Sequence, residues 1–393
     1  MQYALEHGII DLAYVQEQVE MNKRKELLEK HPYEIWCGKD GFWHTYLPDG
    51  VKGRKSVKRK EKARVEDAIV SYWKQEEENP TVKALFQEWI DGKVSRNEVS
   101  LSTKERYENQ YAECMTEFGK HRVRSIDECD IQDFLLNAIH EHHLTSKGYS
   151  NLKTLIYGIF RRAKAKRLIS YSIVNVISDM EIPRKAFRRD AKPDEDLVFS
   201  EEETEIIVKY IESNPFDMLN LGILLAFKTG VRPGELSAIK KEDIDSTGIS
   251  IHRTEIYYKT DDGERICEVR DFPKTEAGIR TVVVPRSCQW ILKMLNNMNP
   301  TGEYVFEQNG ERIKTAAFAR RIDYLCKKLN LKHRSLNKIR KTYASILMDG
   351  GVPASLVISQ MGHTDIKTTQ KHYYKNRKSM QEREKVINNI AEL

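Results

Sequence analysis

The chain has 393 residues, a formal net charge of +6, and hydrophobic and charged fractions of 40% and 32%. This length exceeds the ~100–200 residues of a typical domain, so we expect two or three domains. No apolar run approaches the ~20 residues of a membrane-spanning helix, and the N-terminus does not have the pattern of a secretory signal. We therefore expect a cytoplasmic protein. The six cysteines form no C-x-x-C pair and have no His-x-x-x-His pattern nearby. This argues against a disulfide framework and against a zinc site.

The N-terminal region combines helix and strand signals. Residues 1–30 have apolar positions spaced among charges and predict a helix. Residues 33–57 are rich in aromatic and β-branched residues and contain two Asp-Gly turns, which predicts three short strands. The segment that follows predicts an amphipathic helix packed on this small sheet, with apolar positions at Val65, Ile69 and Trp73.

A dense run of positive charge lies between residues 52 and 64. One interpretation of such a run is a charged surface that is simply exposed to solvent. Here it adjoins a sheet rich in Trp and Tyr, a shape that can enter a DNA groove, so we favour contacts to phosphates. The candidate DNA contacts in this run are Lys52, Arg54, Lys55, Lys58, Arg59 and Lys60.

Residues 79–182 have periodic apolar positions and predict a helical bundle. Its later helix, residues 150–168, has one apolar and one cationic face, and the cationic face could follow a DNA backbone. The candidate contacts on that face are Arg161, Arg162, Lys164 and Arg167.

A charged stretch without periodicity, bracketed by two prolines, occupies residues 183–198 and predicts a linker. Ser200 then begins a helix with acids in its first turn, and Glu203 three residues on completes the pattern of a capping box. The sequence thus predicts a multidomain, mainly α-helical chain with small β-sheets. Its expected parts are an N-terminal helix (1–30), a domain with a three-stranded sheet and a helix (31–78), a helical bundle (79–182), the linker (183–198) and a mixed α+β domain with a C-terminal tail (199–393).

The first candidate site segment is LLAFKTGVRPGELSAI. An apolar helix ends at Gly230 and a new helix starts with Pro233 in its first turn, so Arg232 is held at a helix junction. An arginine in such a place is ordinarily a surface residue or a salt-bridge partner, for example of Glu235. The other segments change this interpretation.

Three further segments follow along the chain. Residues 265–284 predict strands around a turn with Lys274 near the hairpin tip, where most lysines only add solubility. Arg340 lies beside apolar positions of a helix, and a guanidinium so near a buried face needs an anionic partner from the protein or a ligand. In SQMGHTDIKTTQKHYYKN, His363 lies at a helix end and Tyr373 follows ten residues later.

In their order and spacing, the four segments together resemble the tyrosine recombinase family, which includes integrases of mobile elements such as phages and conjugative transposons. The resemblance implies that Arg232 and Arg340 clamp the scissile phosphate, and that Lys274 protonates the departing 5′ oxygen. It also implies that His363 assists and that Tyr373 attacks to form a 3′-phosphotyrosine. Two planar guanidiniums suit the charge that develops on the phosphate oxygens, and the scheme requires no metal or other cofactor.

Three positions qualify this assignment. Glu235 matches an acidic position of the family and is better interpreted as a support for site geometry than as an acid catalyst. Asn337 departs from the family, which has His or sometimes Lys there; asparagine can donate a hydrogen bond to phosphate but cannot transfer a proton, so activity could be weakened. Tyr374 is a rival nucleophile, but adjacent helical residues point about 100° apart, and the spacing from the Gly-His pair favours Tyr373.

The family's architecture implies that the sheet domain binds arm-type DNA sites and that the helical bundle binds core sites. It also implies a tetramer on double-stranded DNA, with the tail from 378 to 393 docked on a neighbouring protomer, although the tail could instead fold back on its own domain. The family's usual companions are an excision factor and a host DNA-bending protein. The competing hypotheses are a DNA-binding protein without catalysis, a type IB topoisomerase, and a scaffold built on the first helix.

Overall fold

The structure is a computed structural model, and the residues that it describes are 12–49, 53–189, 193–260, 262–271 and 276–363, with positions 375, 377, 378, 384 and 388. The chain forms two compact units, residues 1–190 and 191–393. The division between them falls inside the stretch that the sequence predicts to be a linker. The further division of the first unit into an arm-binding and a core-binding domain stays a prediction.

Several predicted features lie outside the described residues. They are the candidate DNA contact Lys52, the candidate general acid Lys274, the rival nucleophiles Tyr373 and Tyr374, and most of the C-terminal tail. In the part of the chain that is described, no helix is long and apolar enough to cross a membrane.

The first unit begins with a helix and a small sheet, as the sequence predicts. The elements are α1 (Leu12–Glu29), β1 (Trp36–Cys37), β2 (Trp43–Asp49), β3 (Gly53–Arg59) and α2 (Lys62–Glu78). The strands pair antiparallel in the order β1-β2-β3. Gly41 has a φ of +73° in the first predicted Asp-Gly turn, a conformation that glycine adopts without strain. Val65 and Ile69 of α2 are fully buried, which confirms the predicted amphipathic helix.

The rest of the first unit is a helical bundle, which confirms the second prediction. Its helices are α3 (Val82–Ser95), α4 (Leu101–Cys114), α5 (Glu128–Glu141), α6 (Ser146–Ala165) and α7 (Ile173–Ser178). Side chains of Thr81, Ser100, Asp127 and Thr145 accept hydrogen bonds at the N-termini of the first four of these helices. One face of α6 is buried in the centre of the bundle, through Leu152, Leu155, Ile156, Ile159 and Phe160. The amphipathic pattern of the sequence therefore places the basic residues of α6 on its other face.

The second unit is built around one buried helix. Its elements are α8 (Glu201–Glu212), α9 (Met218–Thr229), α10 (Pro233–Leu236), β4 (Gly248–Ile251), β5 (Thr254–Lys259), β6 (Arg265–Arg270), β7 (Arg280–Val283), α11 (Gln289–Met298), β8 (Glu307–Gln308), β9 (Glu311–Arg312), α12 (Thr315–Lys328), α13 (Leu336–Asp349) and α14 (Ala354–Met361). Helix α9 is apolar on almost every side and is packed against α11, α12 and α13. Ser200 and Glu203 form the predicted capping box of α8.

The predicted hairpin around Lys274 is wrong. Strand β6 pairs with β5, in a register that places Thr254 opposite Arg270, whereas β7 pairs with β4. The tight turn is instead at Asp262-Gly263, where Gly263 has a φ of +85° and the amide of Thr260 donates to the carbonyl of Glu264. An Asp-Gly pair between two short strands favours a hairpin, so β6 pairs with the preceding strand β5 and not with the following strand β7. The segment of Lys274 therefore connects two separate sheets.

The close approach of α3 and α6 can be tested at a glycine. A Cβ added at Gly158 would lie 2.1 Å from Cε2 of the buried Trp89. We expect Gly158→Ala to lower the free energy of unfolding by about 1–3 kcal/mol, because the tryptophan must shift in a packed core. Urea denaturation of the full chain measures this change.

Gly148→Ala, in the same helix, is the matched control. The nearest atoms to its added Cβ lie at 3.5 Å, an ordinary contact. This variant should keep or slightly raise stability, because alanine favours helix over glycine by up to ~1 kcal/mol. Equal effects of the two substitutions would contradict the packing at Trp89.

Candidate active site

Arg232 lies at the helix junction that the sequence predicts. Helix α9 ends at Gly230, whose φ is +66°, and Arg232 is the N-cap of α10. The backbone N–H of Arg232 donates to Glu235 Oε2 at 2.8 Å, and its Nη1 donates to Oε1 at 2.6 Å. Its Nη2 donates to the carbonyl of Gly362 at 2.8 Å. About a third of the Arg232 side chain remains exposed, so a ligand can still reach it.

Arg340 is the second predicted arginine, and it is 2% exposed on α13. Its Nη1 donates to the carbonyl of Gly230 at 2.7 Å, and its Nη2 donates to the carbonyl of Met361. The same Nη2 lies 3.0 Å from Nε2 of His363. The structure thus brings Arg340 and His363 into direct contact, beside the junction that carries Arg232.

His363 follows the end of α14, where Gly362 has a φ of +62° and closes the helix. The imidazole is 7% exposed, and the backbone N–H of His363 donates to the carbonyl of Ile358. Carbonyls at the end of a helix carry partial negative charge and lack helical partners. At the end of α14, three consecutive carbonyls accept from three guanidiniums: Gln360 from Arg280, Met361 from Arg340 and the C-cap Gly362 from Arg232.

Glu235 is the acidic centre of this cluster and is 2% exposed. Besides Arg232 it binds Arg280, whose Nη2 donates to Oε2 at 2.8 Å and whose Nη1 donates to Oε1 at 3.0 Å. Burial raises the pKa of Glu235, but the hydrogen bond and charge of Arg280 and the charges of Arg232 and Arg340 outweigh it and lower the pKa to about 2. Glu235 is therefore ionised near neutral pH and cannot serve there as an acid.

Sequence reasoning missed Arg280. The signal was the alternation of a strand, because Arg280, Val282 and Val284 follow one another at every second position. Val282 and Val284 are buried and Val283 is exposed, so Arg280 occupies the buried face of β7. A charged residue on the apolar face of a strand indicates a buried partner, and here that partner is Glu235.

Asn337 takes part in none of the contacts of this cluster among the described residues. It belongs to the first turn of α13, three residues before Arg340, and its side chain is exposed. It makes no hydrogen bond to the residues that the structure describes. An amide at this position is thus open to a ligand.

Most of the predicted DNA contacts of the first unit are exposed. Arg54 lies over the ring of Tyr46 at 4.2 Å, and Lys58 binds Asp40 at 2.7 Å. On α6, Arg162 binds Glu88 at 2.5 Å and is the half-buried exception. The remaining candidates are exposed: Lys55, Arg59, Lys60, Arg161, Lys164 and Arg167.

The described cluster concentrates positively charged side chains of the kind that bind tetrahedral anions. Two guanidiniums and an imidazole supply hydrogen-bond donors of a kind that suits phosphate oxygens. In the described ranges, no group of three or more His, Cys, Asp or Glu side chains could hold a metal ion.

Comparison with known proteins relates the C-terminal half of the chain to one family. The model of the phage integrase family matches residues 198–380. The ICEBs1 integrase of Bacillus subtilis (strain 168) is 25% identical over 281 residues, which are 66% of this chain and 70% of that relative. Residues 198–380 thus form a phage integrase domain, which relates the C-terminal half of this chain to the tyrosine recombinases.

Solved integrases share the fold of this chain. The Tn1549 transposon integrase, in complex with a circular intermediate DNA, aligns with a TM-score of 0.60 and 18% identity, covering 79% of this chain and 99% of that one. A lambda integrase tetramer bound to a Holliday junction aligns with a TM-score of 0.54 and 16% identity, covering 88% and 95%. The predicted fold class, mainly helical with small sheets, is confirmed.

The pH dependence of stability tests the electrostatics of Glu235. Because its folded pKa of about 2 is below its ordinary value, the carboxylate contributes stability that is complete above that ordinary value and is lost as pH falls through the folded one. This contribution is roughly 3 kcal/mol. We expect the stability difference between the wild-type chain and Glu235→Gln to shrink by about 2 kcal/mol from pH 6 to pH 3.

Denaturant unfolding at several pH values measures that difference. A gap between the two proteins that stays constant over this range would contradict the assignment of a strongly lowered pKa to Glu235.

Proposed function

We propose that the protein is a site-specific DNA recombinase that cuts and rejoins DNA strands through a 3′-phosphotyrosine. We further propose that it integrates and excises a mobile genetic element. The observation that carries the proposal is the convergence of Arg232, Arg340 and His363 at the end of α14, inside a phage integrase domain. These are three of the residues that the family motif assigns to the scissile phosphate.

The cluster fits the chemistry of phosphoryl transfer. Attack on a phosphodiester builds negative charge on its nonbridging oxygens, and fixed guanidiniums stabilise that charge without reorganising during the reaction. In this scheme Arg232 and Arg340 hold those oxygens and His363 adds a hydrogen bond. The phenolic oxygen of Tyr373 loses its proton to solvent and forms the new P–O bond, and the bond to the 5′ oxygen breaks as Lys274 supplies a proton to that oxygen.

Rejoining is the same step in reverse. A 5′ hydroxyl attacks the phosphotyrosine, Tyr373 leaves, and a phosphodiester forms again. The covalent intermediate retains the energy of the broken bond, so the exchange needs no external energy source. The ionised Glu235 is a support in this scheme, because it fixes Arg232 through both its backbone and its side chain.

Two contacts beyond Tyr373 support its assignment as the nucleophile. The backbone N–H of Lys375 donates to Ser345 Oγ at 3.0 Å, on the helix that carries Arg340. Arg377, 7% exposed, donates through Nε to the carbonyl of Phe199 at 3.3 Å. The chain close after Tyr373 is therefore fixed to the domain that holds the arginines, as attack within one protomer requires.

The first unit supplies the proposed DNA contacts. We assign arm-site binding to the basic strand β3 and core-site binding to the cationic face of α6. The solved relatives support double-stranded DNA as the partner and a tetramer as the assembly, since they include an integrase with a circular intermediate DNA and a tetramer on a Holliday junction. In such a tetramer we propose that residues 378–393 dock on a neighbouring protomer. An excision factor and a host DNA-bending protein would complete the reaction.

The nucleophile can be identified with a nicked suicide duplex that carries the candidate recombination site. We expect the wild-type chain to form a covalent protein–DNA adduct, visible on a denaturing gel. Tyr373→Phe should abolish the adduct because it removes the attacking oxygen, and the matched control Tyr374→Phe should retain it. Loss of the adduct with Tyr374→Phe alone would reassign the nucleophile, and no adduct from any chain would favour binding without catalysis.

Asn337 sets the efficiency of the reaction in this scheme. A histidine at this position can donate and transfer a proton, whereas asparagine can only donate a hydrogen bond. We expect Asn337→His to raise the rate of adduct formation by about tenfold or more. Single-turnover kinetics measure it, and an unchanged or lower rate would mean that the site is built to work with asparagine.

The cationic face of α6 can be tested by salt titration. Arg161 and Lys164 are exposed, whereas Arg162 is already paired with Glu88, which also binds Lys166 at 2.6 Å. We expect Arg161→Gln and Lys164→Gln each to weaken binding to core-site duplex and to reduce the salt slope of log K by about 1. Arg162→Gln should change both less. Fluorescence anisotropy at several salt concentrations measures the slopes, and equal effects of Arg161→Gln and Arg162→Gln would contradict the assignment.

A further inference from the structure

We propose that Arg280 is a positioning residue for strand cleavage, which orients Glu235 and the end of α14 so that Arg232 and His363 meet the scissile phosphate. The inference rests on the proposed function of the same site and adds a residue to which the sequence resemblance assigns no role.

All three nitrogens of the Arg280 guanidinium donate to protein acceptors. Nη1 and Nη2 bind the two oxygens of Glu235, at 3.0 and 2.8 Å. Nε donates to the carbonyl of Gln360 at 3.0 Å, and Nη1 also donates to the carbonyl of Gly278 at 3.0 Å. One planar group thus fixes the carboxylate of α10 and the last turn of α14 relative to β7.

Burial and charge pairing together divide the roles of the arginines. The side chain of Arg280 is 5% exposed and that of Arg232 is 35% exposed, although both bind Glu235. A phosphate can therefore approach Arg232, whereas both Nη atoms of Arg280 are held by the carboxylate of Glu235. The Nη atoms of the buried Arg340 bind backbone carbonyls, which do not neutralise its charge. Arg280 acts through Glu235 and does not touch the substrate.

Glu235 transmits the position of Arg280 to Arg232. Oε1 accepts from Nη1 of both arginines, and Oε2 accepts from Arg280 and from the backbone N–H of Arg232. Without Arg280 the carboxylate loses the bidentate partner that sets its plane. The guanidinium of Arg232 would then lose its fixed orientation, and small displacements of this kind cost rate more than binding.

The same strand holds α14 by a second route. The side-chain amide of Gln360 donates to the carbonyl of Val283 and accepts from its N–H, both at 3.0 Å. Helix α14 should therefore stay on β7 when Arg280 is replaced. Replacing Arg280 should disturb the orientation of Glu235 and Arg232 and leave the packing of the domain unchanged.

The test compares R280M, which removes the charge and the hydrogen bonds, with R280K, which keeps the charge but not the planar fork. R253M is the matched control, because Arg253 is 11% exposed in the same unit and binds Asp243 through Nη1 at 2.7 Å to each oxygen. Arg253 contacts none of the proposed site residues in the described chain. Single-turnover adduct formation on the suicide duplex, DNA affinity and thermal unfolding are measured for all three.

We expect R280M to slow adduct formation by about 100-fold, with the Kd for DNA changed less than about threefold. R280K should recover part of that rate. The acid limb of the rate profile should move to higher pH in R280M, since Arg232 and Arg340 alone would then face Glu235. R253M should lower thermal stability but retain the wild-type rate per folded molecule.

A wild-type rate in R280M or in folded R280K would overturn the proposal, as would equal loss of rate in R280M and R253M. If R280M does not fold, the rate of R280K decides alone. Failure of the proposed function looks different, because the wild-type chain would then form no Tyr373-dependent adduct and the variants would not be needed.

Discussion

The buried carboxylate of Glu235 is the constraint on which the rest of the site depends. Three arginines, Arg232, Arg280 and Arg340, lower its pKa to about 2 against the effect of burial. An ion removed from water is stable only with partners of good geometry, and positive charges held close together repel unless a negative charge lies among them. Glu235 and the arginines are therefore interdependent, and the protein can keep a cationic site assembled before any phosphate arrives.

The C-terminal end of α14 completes this arrangement. Its last carbonyls have no helical partners, and each binds a guanidinium from a different element. The end of α14 thereby holds three elements close together, namely the junction that follows α9, strand β7 and helix α13. It also places His363 against Arg340. Such preorganisation matters for phosphoryl transfer, in which a protein contributes mainly orientation and charge.

The two compact units separate binding from chemistry in the proposed mechanism. The first unit offers exposed cations on β3 and α6, some of them already paired with acids such as Glu88 or Asp40. Its affinity for DNA would depend strongly on salt, as phosphate contacts do. In the second unit the cations are buried and anchored, so their geometry is set by packing and would respond much less to salt.

The sequence by itself determined the helical bundle, the small N-terminal sheet, the capping of α8 and the placement of Arg232 at a helix junction, because periodicity, Asp-Gly turns and capping residues act over a few neighbouring positions. It also identified the family from four motifs. It did not determine that β6 pairs with β5, since two turn signals competed, nor that Arg280 joins the site. Only the tertiary structure decided those points, because strand partners and the burial of a charge depend on residues far apart in the chain.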